Sequence, residues 1–179
     1  MSDNSITIVP KQSNYPNADE RARELLSWLV SRNIVKNSLS DCILGKKGGY
    51  EIAEGAKEIT DEPEYLPYGL ITNGLEITTE RQVFDNGGNG IDEIICPSCQ
   101  GDILENEWDL SEWSDGRTDN LICPICNVEA EINKFRFEPE WGFSNLGFTF
   151  WNWPDFTDQF IEEFKHKLGT EIVVVYRHL

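Results

Sequence analysis

Apolar and polar residues alternate near the start of the chain and then change to a helical spacing. Residues 5–9 (SITIV) alternate and are rich in β-branched side chains, which predicts a short strand. From residue 18 to residue 30, alanine, leucine and valine recur three or four positions apart, which predicts a helix. Asn17 is expected to cap the first turn of that helix.

Two further segments alternate in the manner of strands. Residues 70–72 and 75–79 flank Asn73-Gly74, a dipeptide that favours the tight turn of a β-hairpin, so a hairpin is predicted there. The glycine-broken run at residues 39–56 suits a turn or another hairpin better than a helix.

The C-terminal region returns to the order strand, helix, strand. Residues 146–153 (LGFTFWNW) alternate and predict a strand, and residues 171–177 predict the last strand. Between them, Pro154 and Asp155 are expected to open a helix whose apolar stripe covers residues 156–168. A strand-helix-strand unit at each end indicates an α+β fold, a layered sheet-and-helix domain for which a ferredoxin-like arrangement is one candidate.

Composition narrows the class of protein. The 179 residues are 39% apolar and 26% charged, which is typical of a soluble globular protein and allows one core plus a small module. The longest apolar runs, such as residues 172–176, are too short to cross a bilayer, and the N-terminus lacks the apolar stretch of a secretory signal. We therefore expect a cytoplasmic protein whose thiols stay reduced.

Four of the five cysteines form two CPxC pairs. Cys96 and Cys99 form the first pair, Cys123 and Cys126 form the second, and 23 residues separate the two. A CxxC turn brings two thiolates to one ion, and two such turns complete the tetrahedron that zinc prefers. The sequence therefore predicts one structural zinc ion held by these four residues. Iron would also accept four thiolates, and redox chemistry is a further alternative, although two pairs without a βαβ unit fit it badly.

This pattern resembles the zinc-ribbon family over residues 94–135. The resemblance implies a small β module held together by a metal ion. Modules of this kind are used in transcription, in translation and in protein-protein contact. The glycine-rich segment 87–90 would join this module to the rest of the chain. We predict an α+β core domain from residues 1–90 and 141–179, interrupted by a zinc-ribbon insertion at residues 91–140.

The chain is strongly acidic, with a formal net charge of −17. Residues 91–140 alone hold thirteen acidic residues against three basic ones, a formal net charge of −10. Charge of this sign repels phosphate and disfavours direct binding of nucleic acid. Trp108 and Trp113 lie among these acids, and they either form a protein-contact surface or pack against the ribbon's own sheet.

Other residues do not form a recognisable catalytic set. Cys42 lies outside the four-cysteine group with no histidine near it in the sequence, which favours a small buried apolar residue over a nucleophile. A group of aromatic residues could line a pocket, but its alternation favours a place in the core. Its members are Trp141, Phe143, Phe148, Phe150, Trp151 and Trp153. Whether the chain is an enzyme stays open, with a non-catalytic role favoured.

These observations lead to one hypothesis and two alternatives. The hypothesis is a small acidic zinc-binding protein that acts through protein-protein interaction, as an inhibitor, an immunity-type protein or a regulatory factor. Its expected partner is another protein, with a cationic one as the candidate, and no membrane. The alternatives are a transcription- or translation-associated zinc ribbon that contacts nucleic acid, and an enzyme with a pocket in the aromatic core.

Overall fold

A six-stranded antiparallel sheet with helices on one face forms the larger part of the fold. The computed structural model describes residues 2–179. The strands are β1 (Asn4–Pro10), β2 (Val35–Ser40), β3 (Gly49–Ile52), β4 (Leu75–Thr78), β5 (Gln82–Phe84), β6 (Glu93–Ile95), β7 (Asn120–Ile122), β8 (Glu129–Glu131), β9 (Arg136–Glu138), β10 (Gly142–Ser144), β11 (Gly147–Trp151) and β12 (Ile172–His178). The helices are α1 (Ala18–Ser31), α2 (Ser111–Ser114) and α3 (Asp158–Leu168), with short 3-10 turns at Glu54–Glu58, Pro63–Tyr65 and Ile132–Lys134.

The strand order of the large sheet brings distant parts of the chain together. The order is β12-β1-β11-β4-β3-β2, and every neighbouring pair is antiparallel. β11 lies between β1 and β4, while β1 lies between β11 and β12. The helix α3 therefore connects two strands that have a third strand between them. The α+β prediction is confirmed at this level, because helices and a mostly antiparallel sheet form the fold together.

The helices α1 and α3 cover one face of the sheet and form the main core with it. Phe160 and Phe164 of α3 pack there with Leu25 and Leu29 of α1, and all four are at most 1% exposed. The sheet contributes Ile8, Leu75, Phe148 and Phe150. Burial of each such side chain stabilises the fold by roughly 1.5–3 kcal/mol. No helix in the described part of the chain is long and apolar enough to cross a membrane.

The opposite face of the sheet is more polar. Val9, Val173 and Val175 meet Phe84 of β5 there, and the small β5-β10 pair covers that end of the face. Farther along the same face, the hydroxyls of Thr7 and Thr149 hydrogen-bond to each other at 2.9 Å. The helix-free face is therefore apolar at one end and polar along its middle.

Two predictions of local structure are wrong. Asn17 has left-handed backbone angles (φ 54°, ψ 46°), and its side chain makes no capping hydrogen bond to α1. Residues 70–72 are irregular rather than a strand. The Asn73 side chain is buried and donates to the carbonyl of Leu70, while β4 pairs with β11 and β3.

The helix α3 begins later than predicted. Pro154, Asp155 and Phe156 precede it, and Thr157 is its N-cap, with Oγ1 accepting a hydrogen bond from the Phe160 amide at 3.2 Å. The hydroxyl satisfies one of the amides that the first turn of a helix leaves without an intrahelical partner.

Replacement of Thr157 by alanine is expected to remove this cap. We expect the free energy of unfolding to fall by about 1 kcal/mol, which lowers the melting temperature by roughly 2–4 °C in a chain of this size. Thermal denaturation followed by circular dichroism measures the change. Thr157→Ser keeps the acceptor oxygen and serves as the control. Equal melting temperatures for Thr157→Ala and the wild type would mean that the hydroxyl does not stabilise the helix start.

Candidate metal centre

Two short hairpin-like units carry the four cysteines, and both turns are built in the same way. The first cysteine of each pair directly follows a strand, Cys96 after β6 and Cys123 after β7. In the first turn, the Cys96 amide donates to Gly101 at 3.0 Å and the Cys96 carbonyl accepts from Gln100 at 3.1 Å.

The second turn repeats these bonds. The Cys123 amide donates to the carbonyl of Val128 at 2.9 Å, and the Cys123 carbonyl accepts from Asn127 at 2.9 Å. The residue after each pair is left-handed, with φ 60° at Gln100 and φ 61° at Asn127. The repeated geometry therefore presents both pairs of thiols in the same way.

The four sulfur atoms converge on one point between the two turns. All four Sγ atoms lie within 4.8 Å of one another. Cys96 Sγ lies 3.8 Å from Cys126 Sγ, and Cys99 Sγ lies 3.9 Å from Cys123 Sγ. A tetrahedral zinc ion with Zn–S bonds of about 2.3 Å places its sulfurs about 3.8 Å apart. The donor set and its spacing therefore fit a four-thiolate metal ion such as zinc.

Backbone amides point at the sulfurs and favour their ionised form. Amides donate to Cys96 Sγ from Ser98, to Cys99 Sγ from Gly101 and to Cys123 Sγ from Ile125, each at 3.4 Å. Such bonds stabilise negative charge on a thiolate. These amide hydrogen bonds are polar contacts of the kind that support metal-bound thiolates.

The thiols of the first turn, Cys96 and Cys99, differ in their readiness to ionise. Burial disfavours the Cys96 thiolate, but amide bonds from Cys99 and Ser98 and the neighbouring thiols outweigh it and lower the pKa of Cys96 to about 7. For Cys99 the Gly101 amide favours the thiolate, yet burial and the other three sulfurs together raise the pKa to about 11. Like charges this close cannot all form without a cation, and a metal dication is the natural counter-charge.

A metal ion bound by all four cysteines would have a closed coordination shell. Cys96 and Cys123 are fully buried, Cys126 is half-buried and Cys99 is exposed. Four protein ligands fill the shell of a tetrahedral ion and leave no position for a substrate or a reactive water. The arrangement would hold two turns together and would have no open coordination site.

A buried tryptophan joins this metal-binding region, residues 91–140, to the loop after β1 and to β10. Trp113 is 2% exposed, and its indole nitrogen donates to Ser13 Oγ at 2.9 Å. Ser13 in turn donates to Glu131. The Trp113 ring meets Phe143 edge-on at 5.5 Å. Of the two alternatives for this residue, packing inside the fold is what the structure shows.

Arg81 packs against Trp113 from the other side, and no pattern in the sequence predicts this role. Its guanidinium lies 4.1 Å from the centre of the Trp113 ring and donates to the carbonyls of Trp113 and Thr118 at 2.6 and 2.7 Å. It also pairs with Asp119 at 2.9 Å. An isolated arginine before β5 gives no signal of such a role, because its partners are all more than thirty residues away, with Asn14 before it and Trp113, Thr118 and Asp119 after it.

Cys42 and part of the aromatic group lie away from the four cysteines, while Trp108 packs on the same apolar cluster as Cys96 and Cys123. Cys42 is 4% exposed and packs with Ile43 and Trp151 at the edge of the polar sheet face. Phe148, Phe150 and Trp153 belong to the core beneath the helices, so these members of the aromatic group line no pocket. Trp108 is half-buried and meets Phe137 edge-on at 6.2 Å.

The fold and the site define an α+β protein with a four-cysteine cluster at metal-binding distances. Comparison with protein-family models, with curated proteins and with solved structures found no match to this chain. The interpretation of the site therefore rests on the positions of the four sulfurs and on the turns that carry them.

Proposed function

We propose that this is a cytoplasmic protein that binds one structural zinc ion and acts by binding a basic partner protein, as an inhibitor, immunity-type or regulatory factor rather than as an enzyme. The observation that carries the proposal is an acidic groove with exposed apolar side chains beside it, on the metal-binding region.

The apolar part of this surface lies at the second cysteine turn. Ile122, Ile125 and Val128 are 58%, 49% and 38% exposed. They lie immediately before, within and after the turn formed by Cys123 and Cys126. A metal ion that fixes the turn would also fix these side chains, which lowers the entropy cost of binding a partner.

The acidic groove runs beside β7 and β8. It has a volume of about 450 Å³ and is lined on its acidic side by Glu107, Asp109, Glu112 and Glu129, with Trp108 and Ile122 between them. Arg117 is the basic residue of the lining, and it is paired with Asp115. Negative charge therefore prevails in the groove.

This combination fits a cationic protein side chain. A lysine or arginine of the partner would meet carboxylates and the face or edge of Trp108, and the apolar residues of the turn would cover its stem. The overall charge of −17 would speed the encounter with a basic protein. The same carboxylates would repel phosphates, which counts against the alternative in which the region contacts nucleic acid.

We also propose that the sheet is ferredoxin-like and that residues 91–140 form a zinc-ribbon insertion. The order β12-β1-β11-β4 with α1 and α3 on one face supports the first statement, with the β2-β3 hairpin as an addition. A separate apolar cluster around Ile94, Ile103 and Phe137 supports the second, although it also takes in Phe143 of β10.

Affinity capture with point variants tests the interface. Ile125→Ser and the pair Glu107→Gln, Glu129→Gln are expected to lower partner affinity by about tenfold or more. Ile71→Ser and Glu64→Gln are the matched controls, since both residues are exposed but lie in the loop before β4. Binding that weakens with added salt would accompany the expected pattern.

Two outcomes would contradict this proposal. One is capture of no basic or salt-sensitive partner at all. The other is a partner that binds the Ile125 and Glu107 variants as well as the wild type but loses binding to the Ile71 or Glu64 variants. Filter binding of nucleic acid at low salt tests the alternative directly, and binding there that the Glu→Gln pair does not change would favour it over the proposed function.

A further inference from the structure

The helix-free face of the large sheet contains a cleft of about 310 Å³ that lies apart from the metal centre. Its floor comes from β12, β1, β11 and β4, the first four strands of the sheet order. Strand pairing places Ser5 beside Arg177, Thr7 beside Thr149, and Thr149 beside Glu76. One wall contains Leu44 and Gly45, and the other contains Phe84 and Asp85.

Two polar groups at one end of this cleft lack hydrogen-bond partners. Ser5 is 3% exposed, and its hydroxyl has no partner among the described residues. Arg177 Nε is also buried without one. The nearest carboxylate oxygen, on Asp85, is 3.7 Å away, which is an ion pair but too long for a hydrogen bond. Buried groups of this kind are rare because an unpaired polar group out of contact with water is costly, so they call for an explanation.

Acceptors and hydroxyls continue toward the other end. The indole nitrogen of Trp151 donates to Glu76 Oε2 at 2.9 Å, which leaves Glu76 Oε1 for a further donor. The paired hydroxyls of Thr7 and Thr149 lie between Glu76 and Ser5 in the sheet. The cleft thus offers a free donor at Arg177, a free hydroxyl at Ser5 and a carboxylate at Glu76.

We propose that this cleft binds a small neutral polyhydroxylated molecule of the saccharide class. A hydroxyl both donates and accepts, so one molecule of this class would supply the acceptor for Arg177 Nε, the donor for Glu76 and the partner for Ser5. The mixed charges of the lining fit a neutral ligand better than an ion of either sign. An anion would meet the carboxylates of Glu76 and Asp85, and a cation would meet Arg177.

Size supports one or two sugar rings. Strands lie about 4.8 Å apart, so the backbones of Arg177 and Glu76 are separated by roughly 15 Å across three spacings and a short offset along the strands. The side chains of Arg177 and Glu76 take up part of this distance, so the space between their polar groups is shorter. The cleft volume falls at the lower end of the range for small-molecule sites, which is about 300–1,000 Å³.

Saturation-transfer difference NMR and titration calorimetry test the proposal on the full zinc-loaded chain. The probes are glucose, galactose, N-acetylglucosamine and maltose, with inorganic phosphate and glycine as charged comparisons. We expect at least one saccharide to bind and neither charged probe to do so. Ser5→Ala, Arg177→Gln and Glu76→Gln are each expected to weaken saccharide binding by about tenfold. Ser38→Ala and Arg23→Gln, both exposed and outside the cleft, are expected to bind as the wild type does.

The stability of Ser5→Ala separates a ligand site from a structural one. Without saccharide, this variant is expected to melt at or above the wild-type temperature, because the change removes a buried hydroxyl that has no partner. With saccharide, the wild type is expected to gain more in melting temperature than the variant does.

Three results would overturn the proposal: binding of no saccharide, saccharide binding that the three cleft variants leave unchanged, or a Ser5→Ala protein that melts clearly below the wild type. The cleft residues and the acidic groove share no side chain, so the outcome is independent of the partner-binding experiment.

Discussion

Replacement of Cys123 by serine is expected to abolish zinc binding and to destabilise the protein strongly. Cys123 is fully buried and supplies one of four converging sulfurs. Binding free energy at a structural zinc site is also folding free energy, and it is on the order of 10 kcal/mol. We expect a loss of at least about 3 kcal/mol of stability, which lowers the melting temperature by roughly 6–12 °C. Elemental analysis is expected to find one zinc per wild-type chain and none in the variant.

Cys42→Ser is the matched control for this experiment. Cys42 is also buried, at 4% exposure, but it packs against Ile43 and Trp151 rather than against the other sulfurs. This variant is expected to keep one zinc per chain. Chelation of the wild type is expected to reproduce the melting curve of Cys123→Ser. Full zinc content and an unchanged melting temperature in Cys123→Ser would mean that Cys123 is not a metal ligand. A wild type that binds no metal and whose thiols react readily would favour thiol redox chemistry instead.

The cysteine site is predictable from sequence because its geometry is mostly local. Each CPxC turn is fixed by hydrogen bonds that reach no more than five residues, such as the bond between Cys123 and Val128. Only the meeting of the two turns is non-local, and a tetrahedral ion bound by all four sulfurs would impose that meeting. Spacing of residues along the chain therefore carries most of the information for this site.

Features that depend on distant contacts are not predictable in this way. Asn73-Gly74 has the sequence of a hairpin turn, yet Asn73 is buried and β4 pairs with β11, about seventy residues away in the chain. Strand formation follows the best available partner as much as the local pattern.

The polar cleft is the clearest case of information that the linear pattern lacks. Ser5 and Arg177 are at opposite ends of the chain, and only the antiparallel pairing of β1 with β12 makes them neighbours. Alternation predicts that each residue lies in a strand, and it predicts which residues share a face. It does not predict the strand order, so it cannot say which polar side chains converge.

Replacement of Trp113 by alanine is expected to have the other large effect on stability, because this side chain joins the metal-binding region to the loop after β1 and to β10. The change removes a 2% exposed indole, its bond to Ser13 and the ring beneath the Arg81 guanidinium. Truncation of a buried tryptophan costs about 3–5 kcal/mol. Denaturation by urea measures this loss, and Trp113→Phe is expected to lose less because it keeps an aromatic ring against Phe143.

Measurement of zinc content in the same variants distinguishes the packing role of Trp113 from metal binding. None of the contacts of Trp113 named above involves a cysteine, so Trp113→Ala is expected to keep one zinc per chain while its stability falls. Loss of zinc together with stability would mean that the two cysteine turns depend on the contacts of Trp113 to come together. Unchanged stability would contradict this structural role of Trp113, since removal of a buried aromatic ring from a packed interior lowers the free energy of unfolding.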